Sequence, residues 1–150
     1  MVTIRKARKD DCTAMMDLIH ELAEFVKAPQ DVTVSMEEFE NSGFGDHPVW
    51  GAWLAERDGV ILGMSLYYIR YSTWKGRRLY LEDLIVTQSE RGNGIGGKLL
   101  THTINFAKEQ GFSGMMWQVL DWNEAAIGFY KKYQAEFETQ WLNVTLNFDK

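Results

Sequence analysis

The chain has 150 residues, enough to bury one core without a metal or a disulfide, and its 45% hydrophobic and 25% charged content is ordinary for a globular protein. A formal charge of −5 lacks the basic footprint of a general nucleic-acid binder, and a lone cysteine, Cys12, excludes an internal disulfide framework. No stretch approaches a membrane span and no apolar run precedes the charged segment at 5–11, so a cytoplasmic protein with neither nucleic-acid nor membrane partners is expected.

Val2 to Lys6 reads as a first strand, and Asp10 or Asp11 is placed to cap a helix carrying Met15, Leu18, Ile19, Leu22, Ala23 and Val26 on one side. Ser35 and Glu38 have the spacing of a capping box and open a short helix from Met36 to Asn41, after which Gly43, Gly45 and Pro48 break the chain. Strands follow from Trp50 to Glu56, Val60 to Tyr71 and Arg77 to Val86, the first two joined by an Asp58-Gly59 turn. Leu99, Leu100, Ile104 and Phe106 make the next segment an amphipathic helix, with Gly111 at its C′ position. Met115 to Leu120 is a strand that must lie beside the Tyr80 strand if the helix is a crossover; Asn123 to Tyr133 is a last helix and Trp141 to Asn147 a last strand. The fold class is α/β: a single mixed, mostly antiparallel sheet flanked by helices on both faces, with 1–150 as one domain.

The most telling stretch is Tyr80 to Gly97, YLEDLIVTQSERGNGIGG, an apolar strand that runs into glycines and then a helix. Such a junction gathers unpaired backbone N–H groups and the positive end of a helix dipole, a receptor for pyrophosphate. Gly92, Gly94 and Gly97 satisfy G-x-G-x-x-G, but they sit past the middle of a short chain. A P-loop needs a hydroxyl after its lysine, and Leu99 follows Lys98. Arg91-x-x-Gly94-x-Gly96 fits better, and with its flanking elements it resembles the acetyl-CoA signature Q/R-x-x-G-x-G/A of the GCN5-related N-acetyltransferases.

The resemblance spans nearly the whole chain. Leu120 to Tyr130, LDWNEAAIGFY, is similar to that family's second CoA-contacting segment, and the segments 43–48, 71–77 and 80–83 resemble the spermidine/spermine and thialysine acetyltransferases. It implies acetyl-CoA as cosubstrate, no metal, a small-molecule amine as acceptor and a homodimer. It further implies that the backbones of Leu84, Ile85 and Val86 pair with pantetheine. Arg91, Gly92, Asn93, Gly94, Ile95, Gly96 and Gly97 then hold the pyrophosphate, and Asn123 bonds the pantetheine or caps the last helix. His20, His47 and His102 have no metal-ligand spacing among themselves or with Cys12.

Acetyl transfer to an alkylamine needs a neutral nucleophile and a proton for the departing thiolate. With a pKa of about 10.4, roughly one lysine-like amine in a few thousand is neutral at pH 7. By resemblance Tyr130 is the acid, unless Phe129 and Tyr130 merely pack the helix. Glu82 is the base or the ammonium binder, with Trp74 and Asp83 as further substrate-side candidates. Strand alternation puts Glu82 and Asp83 on opposite faces, which leaves Asp83 a structural reading as well.

Two positions that align with groove acids of the polyamine enzymes hold Val26 and Ser72, so the likeness leans to the thialysine type, with diamines and polyamines as the alternative. Gln134 stands where many relatives have glycine. The aromatic run Trp50, Trp53, Tyr67, Tyr68, Tyr71 and Trp74 is open to three uses, as core, substrate wall or dimer face. A noncatalytic acyl-CoA-binding module is the alternative of another class.

Overall fold

A computed structural model describes residues 1–148. They divide into two compact units, 1–117 and 118–148. The first is built on a five-stranded sheet in the order β1 (Thr3–Lys6), β2 (Gly51–Arg57), β3 (Val60–Ser72), β4 (Gly76–Val86) and β5 (Met115–Met116). The first three pairings are antiparallel and the last is parallel. Asp58 and Gly59 turn the β2–β3 hairpin with φ of 53° and 79°, the left-handed pair that such a turn requires.

Helices α1 (Cys12–Phe25) and α2 (Met36–Phe44) cover one face of the sheet. Met15, Leu18 and Phe39 pack there against Leu54, Met64, Leu66 and Ile85. Helix α3 (Ile95–Glu109) covers the other face, with Ile95 and Leu99 on Ala55, Leu62, Leu84 and Val86. The mixed sheet with helices on both faces is as the sequence indicates. The aromatic run divides: Trp50, Trp53 and Tyr67 join these packings, whereas Tyr71 and Trp74 are 69% and 85% exposed.

Several boundaries differ from the sequence reading. Neither Asp10 nor Asp11 caps α1 with its side chain. The Asp11 carboxylate accepts the backbone N–H of Arg8 at 2.7 Å, closing a 3₁₀ turn at Lys9–Asp11, and pairs with the Arg5 guanidinium at 2.8 and 2.9 Å. Ser35 does cap α2, accepting the Glu38 N–H at 3.0 Å, but that helix runs through Gly43 instead of breaking there. A Cβ at Gly43 would stand 2.2 Å from the Trp50 ring, so glycine is required for packing at that point and not for a turn.

Strand β5 pairs for only two residues, Met115 and Met116 with Leu79 and Tyr80, in place of the six expected from Met115 to Leu120. The β4–β5 ladder has no rung from Leu81 to Val86 among the described residues. Helix α3 ends as expected: Gly111 has φ 77°, its N–H reaches the Lys108 carbonyl at 3.1 Å, and the Phe112 N–H reaches that of Ala107 at 3.0 Å.

The second unit contains α4 (Glu124–Lys131). Tightened bonds from the N–H groups of Lys132, Tyr133 and Gln134 to carbonyls three residues back end it before Tyr133. The expected strand from Trp141 to Asn147 is absent among the described residues: Leu142, Val144 and Leu146 are over 80% exposed, and no ladder takes up the backbone there.

Candidate active site

β4 carries the first part of the site. Its register with β3 pairs Leu81 with Tyr67 and Asp83 with Leu66, so Glu82 is the extra residue of a β-bulge. The bulge resets the alternation of side chains. Leu81 pairs with Tyr67, which packs with Leu79 and Ala107 of α3, whereas Asp83 pairs with Leu66 in the layer beneath α1 and α2. Glu82 lines a groove of about 630 Å³ with Phe39, Trp50, Leu66, Tyr68 and Ile69, on that same face. Glu82 and Asp83 therefore share a face, contrary to the plain alternation read from the sequence.

The charges interact as that placement requires. Burial, with the Glu82 charge beside it, pushes the Asp83 carboxyl up to about 6. Burial and the same Glu82 charge push the Tyr68 phenol up to about 12 and raise that of Tyr80. The Tyr68 and Tyr80 rings stack at 5.0 Å, and the Arg70 guanidinium lies 5.8 Å from the Tyr80 centroid. An exposed carboxylate thus rises from a wall of aromatic and apolar groups, a setting for an alkylammonium ion.

The second part is the turn that leads into α3. Gly92 and Gly94 have φ of 85° and 80°, and a Cβ on either would meet nothing within 4 Å. Conformation is what demands glycine there, and the outer side of the turn is open. Gly94 caps α3 with no side-chain bond to the first-turn amides, which leaves backbone N–H groups as the polar surface of this helix end. Ile95 is 2% exposed, its side chain packed with Ala55, Leu62 and Leu99. Arg91 turns back: its Nε donates to the Val86 carbonyl at 3.2 Å and its guanidinium lies 5.1 Å from the Phe25 ring. Asn93 donates to Glu90 at 3.5 Å.

The approach to the turn is anchored on both sides by residues that the motif does not contain. The Glu21 carboxylate of α1 accepts the Gln88 N–H at 2.6 Å and the Thr87 hydroxyl at 3.1 Å. Arg57 of β2 grips Glu90 with bonds of 3.0 and 2.8 Å. Below α3, the buried Ser65 and Thr103 hydroxyls bond at 2.6 Å, and Thr103 donates to the Leu99 carbonyl at 2.8 Å. Nothing local in the sequence marks these partners. Tyr68 was the one recoverable residue, because counting back from the Ser72–Gly76 turn places it opposite Tyr80.

Trp74 is not brought to Glu82. It stands at the tip of the β3–β4 hairpin, six residues of strand beyond Glu82 when measured from Gly76, or about 20 Å at the usual strand rise. Ser72 is engaged in that same tip, accepting the N–H groups of Trp74 and Lys75 at 3.2 and 3.0 Å. Val26 ends α1 as its C-cap. In the second unit, the Asn123 Oδ1 accepts the Ala126 N–H at 3.3 Å, so this residue is the N-cap of α4. Its amide nitrogen remains a donor. Tyr130 is 9% exposed, its ring 5.5 Å from that of Phe129, and burial raises its phenol above the ordinary value. Cys12 is 1% exposed and burial pushes its thiol up to about 11, which makes it inert. No group of three His, Cys, Asp or Glu that could hold a metal occurs among the described residues.

An anion cradle at the end of β4 and a cation groove on its face suit group transfer from an anionic carrier to an amine. The residues present fit acetyl-CoA, since a glycine-capped helix end answers to the pyrophosphate and a strand edge with no β5 rung at 81–86 among the described residues answers to the pantetheine amides. The model of the acetyltransferase (GNAT) family matches residues 12–135. The chain belongs to this family of acetyl-CoA-dependent amine N-acetyltransferases.

Among its relatives, a thialysine N-epsilon-acetyltransferase of Bos taurus is 39% identical over 147 residues, covering 93% of this chain and 86% of that protein. A spermidine/spermine N(1)-acetyltransferase-like protein 1 of Homo sapiens is 33% identical over 134 residues, 85% of this chain and 19% of that longer protein. The solved structure of an aminoglycoside acetyltransferase from an uncultured soil metagenomic sample shares the fold, with TM-score 0.80 at 20% identity over 99% of this chain and 97% of that one. No helix among the described residues is long and apolar enough to cross a membrane.

Proposed function

We propose that the acceptor is the terminal amine of thialysine or of a lysine-like molecule, with diamines and polyamines second. The observation that carries this reading is the bulge at Glu82, which puts a carboxylate in an apolar groove on the strand that feeds the glycine turn. Identity to a relative that acts on thialysine supports the order of substrates. So does the absence of acids at Val26 and Ser72, the first a helix cap and the second occupied in a hairpin turn. A long polycation needs a counter-charge for each ammonium, and those two positions supply none. The likeness to a spermidine/spermine-type protein keeps the polyamine alternative.

Glu82 binds the incoming ammonium and takes its proton, directly or through one water. The neutral nitrogen then attacks the thioester carbonyl; the carbon–nitrogen bond forms, the carbon–sulfur bond breaks, Tyr130 supplies the proton to the departing sulfur, and the surplus proton on the new amide nitrogen passes back to the Tyr130 phenolate, directly or through water. Asp83 is the half-buried neighbour of Glu82 on the same face and serves the substrate side from behind it. The backbones of Leu84, Ile85 and Val86 receive the pantetheine arm. The turn from Arg91 to Gly97 holds the pyrophosphate through Gly92, Asn93, Gly94, Ile95 and Gly96, and Asn123 donates its amide nitrogen to the pantetheine. Trp74, at the hairpin tip, serves the substrate only from outside the Glu82 groove. No metal takes part.

Residues 1–150 form one acetyltransferase domain in this reading, because the family match from 12 to 135 runs across the division at Trp117. A homodimer follows from the family resemblance, and a cytoplasmic setting from composition. The test is free-thiol release from acetyl-CoA with thialysine, lysine, putrescine, spermidine and spermine at pH 7 to 9. Thialysine ahead of spermidine is the expected result. Spermidine ahead would move the chain to the polyamine type, and acetyl-CoA bound without thiol release from any amine would make it a noncatalytic acyl-CoA-binding module.

A further inference from the structure

The face that holds Glu82 runs, toward the hairpin tip, into a pair of arginines. Alternation along β3 puts Arg70 on the side of Leu66 and Tyr68, which line the Glu82 groove, and Arg70 pairs across the ladder with Arg78 of β4. Two cations directly opposite one another repel. No carboxylate lies within ion-pair distance of either among the described residues. Arg78 turns to β5, where its guanidinium reaches the Met115 carbonyl at 3.5 Å. Arg70 is exposed and reaches along the groove face instead: its guanidinium lies 5.8 Å from the centroid of the Tyr80 ring, which stacks on that of Tyr68 at 5.0 Å. This leaves the N–H donors of Arg70 open to a ligand.

The rung of Tyr68 and Tyr80 lies between the arginine pair and Glu82. From Tyr80 to Glu82 along β4 is no more than about 7 Å at the usual strand rise. A lysine-like chain spans roughly the same 7 Å from its terminal nitrogen to its carboxylate carbon, judged from the reach of a two-residue backbone. A guanidinium offers paired N–H donors that match both oxygens of a carboxylate, and it repels a second ammonium. We propose, resting on the small-amine reading above, that Arg70 binds the carboxylate of an amino-acid acceptor whose terminal amine lies on Glu82, and that it selects such acceptors over diamines of the same length. One side chain thereby attracts the amino acid and opposes its rival.

Thialysine and its decarboxylated counterpart, the diamine bis(aminoethyl) sulfide, isolate the carboxylate. The measurement is the ratio of their kcat/KM values in the wild type and in the Arg70→Gln, Arg70→Lys and Lys75→Gln variants; a loss of folded protein lowers both values and leaves their ratio unchanged. Arg70→Gln is expected to lower the thialysine-to-diamine ratio about fivefold, the upper end for a solvent-screened ion pair, and to do so through KM. Arg70→Lys is expected to recover part of the ratio, because lysine keeps the charge and loses the paired donors. Lys75→Gln, an equal change of net charge in the same hairpin, is expected to leave it alone. An unchanged ratio in Arg70→Gln, or an equal fall in Lys75→Gln, overturns the proposal while the amine acetyltransferase reading stands. Turnover of neither acceptor by the wild type overturns both.

Discussion

Glu21 of α1 and Gln88 are joined by a 2.6 Å bond from the Gln88 backbone N–H to the Glu21 carboxylate, and the Thr87 hydroxyl adds a second at 3.1 Å. A helix that begins 12 residues into the chain thereby fixes the start of the segment that ends in the glycine turn. Charge-assisted bonds of this kind are worth about 1.5 to 3 kcal/mol when one partner is removed. Glu21→Ala should therefore raise KM for acetyl-CoA roughly tenfold and leave kcat within about twofold, because it alters the aim of the cradle and not the reacting groups. Steady-state kinetics with acetyl-CoA as the varied substrate decide it.

Asp83 contributes to stability in the opposite sense from most aspartates. Its carboxyl is pushed up from 3.8 to about 6 by burial and by Glu82, so the folded protein binds this proton more tightly than the unfolded chain. Stability from this group falls as pH rises from about 4 to 6, and the cost is fully present above pH 6. Asp83→Asn should raise the unfolding free energy by about 2 kcal/mol at pH 7.5 and by little at pH 4. Urea unfolding of both proteins at the two pH values reads this difference directly.

Tyr130 stays protonated through the working range because burial raises its phenol. As the proposed acid for the leaving sulfur it should be missed in kcat and hardly in binding. Tyr130→Phe is expected to lower kcat about a hundredfold, the low end for general acid catalysis, with acetyl-CoA affinity within about twofold. Equilibrium binding measured beside turnover separates the two effects.

Gln134 has φ 60°, a left-handed conformation that side chains other than glycine enter at a cost of about 1 to 2 kcal/mol. Gln134→Gly removes that cost and adds chain entropy to the unfolded state. A net gain near 1 kcal/mol, seen as a rise of about 2 to 4 °C in Tm, is expected.

Much of this arrangement was legible in the amino-acid order. Hydrophobic period placed the first four strands and the helices, Asp58-Gly59 and Gly111 fixed a turn and a helix end, and the glycines after an apolar strand marked the turn into α3. The bulge at Glu82 was not legible, because a single extra residue leaves no trace in a run with apolar residues on both faces, Ile85 on one and Leu84 and Val86 on the other, yet it decides that Glu82 and Asp83 share a face. Glu21 and Arg57 were hidden for a different reason: their partners lie 67 and 33 residues away, and an acid or base on an amphipathic helix or strand looks the same whether it faces water or a loop. The segment from Trp141 to Asn147 alternates like a strand, but alternation specifies a surface and not the neighbour that must pair with it.

Glu82, set out by the bulge, is proposed to carry the acceptor amine and its proton. This is tested most directly by kcat/KM for thialysine in Glu82→Gln beside the wild type at pH 8, read as free-thiol release at saturating acetyl-CoA. A loss of about a hundredfold or more is predicted, since the amide can neither pair with the ammonium nor accept its proton. A value within about threefold of the wild type would contradict the account and place the base elsewhere.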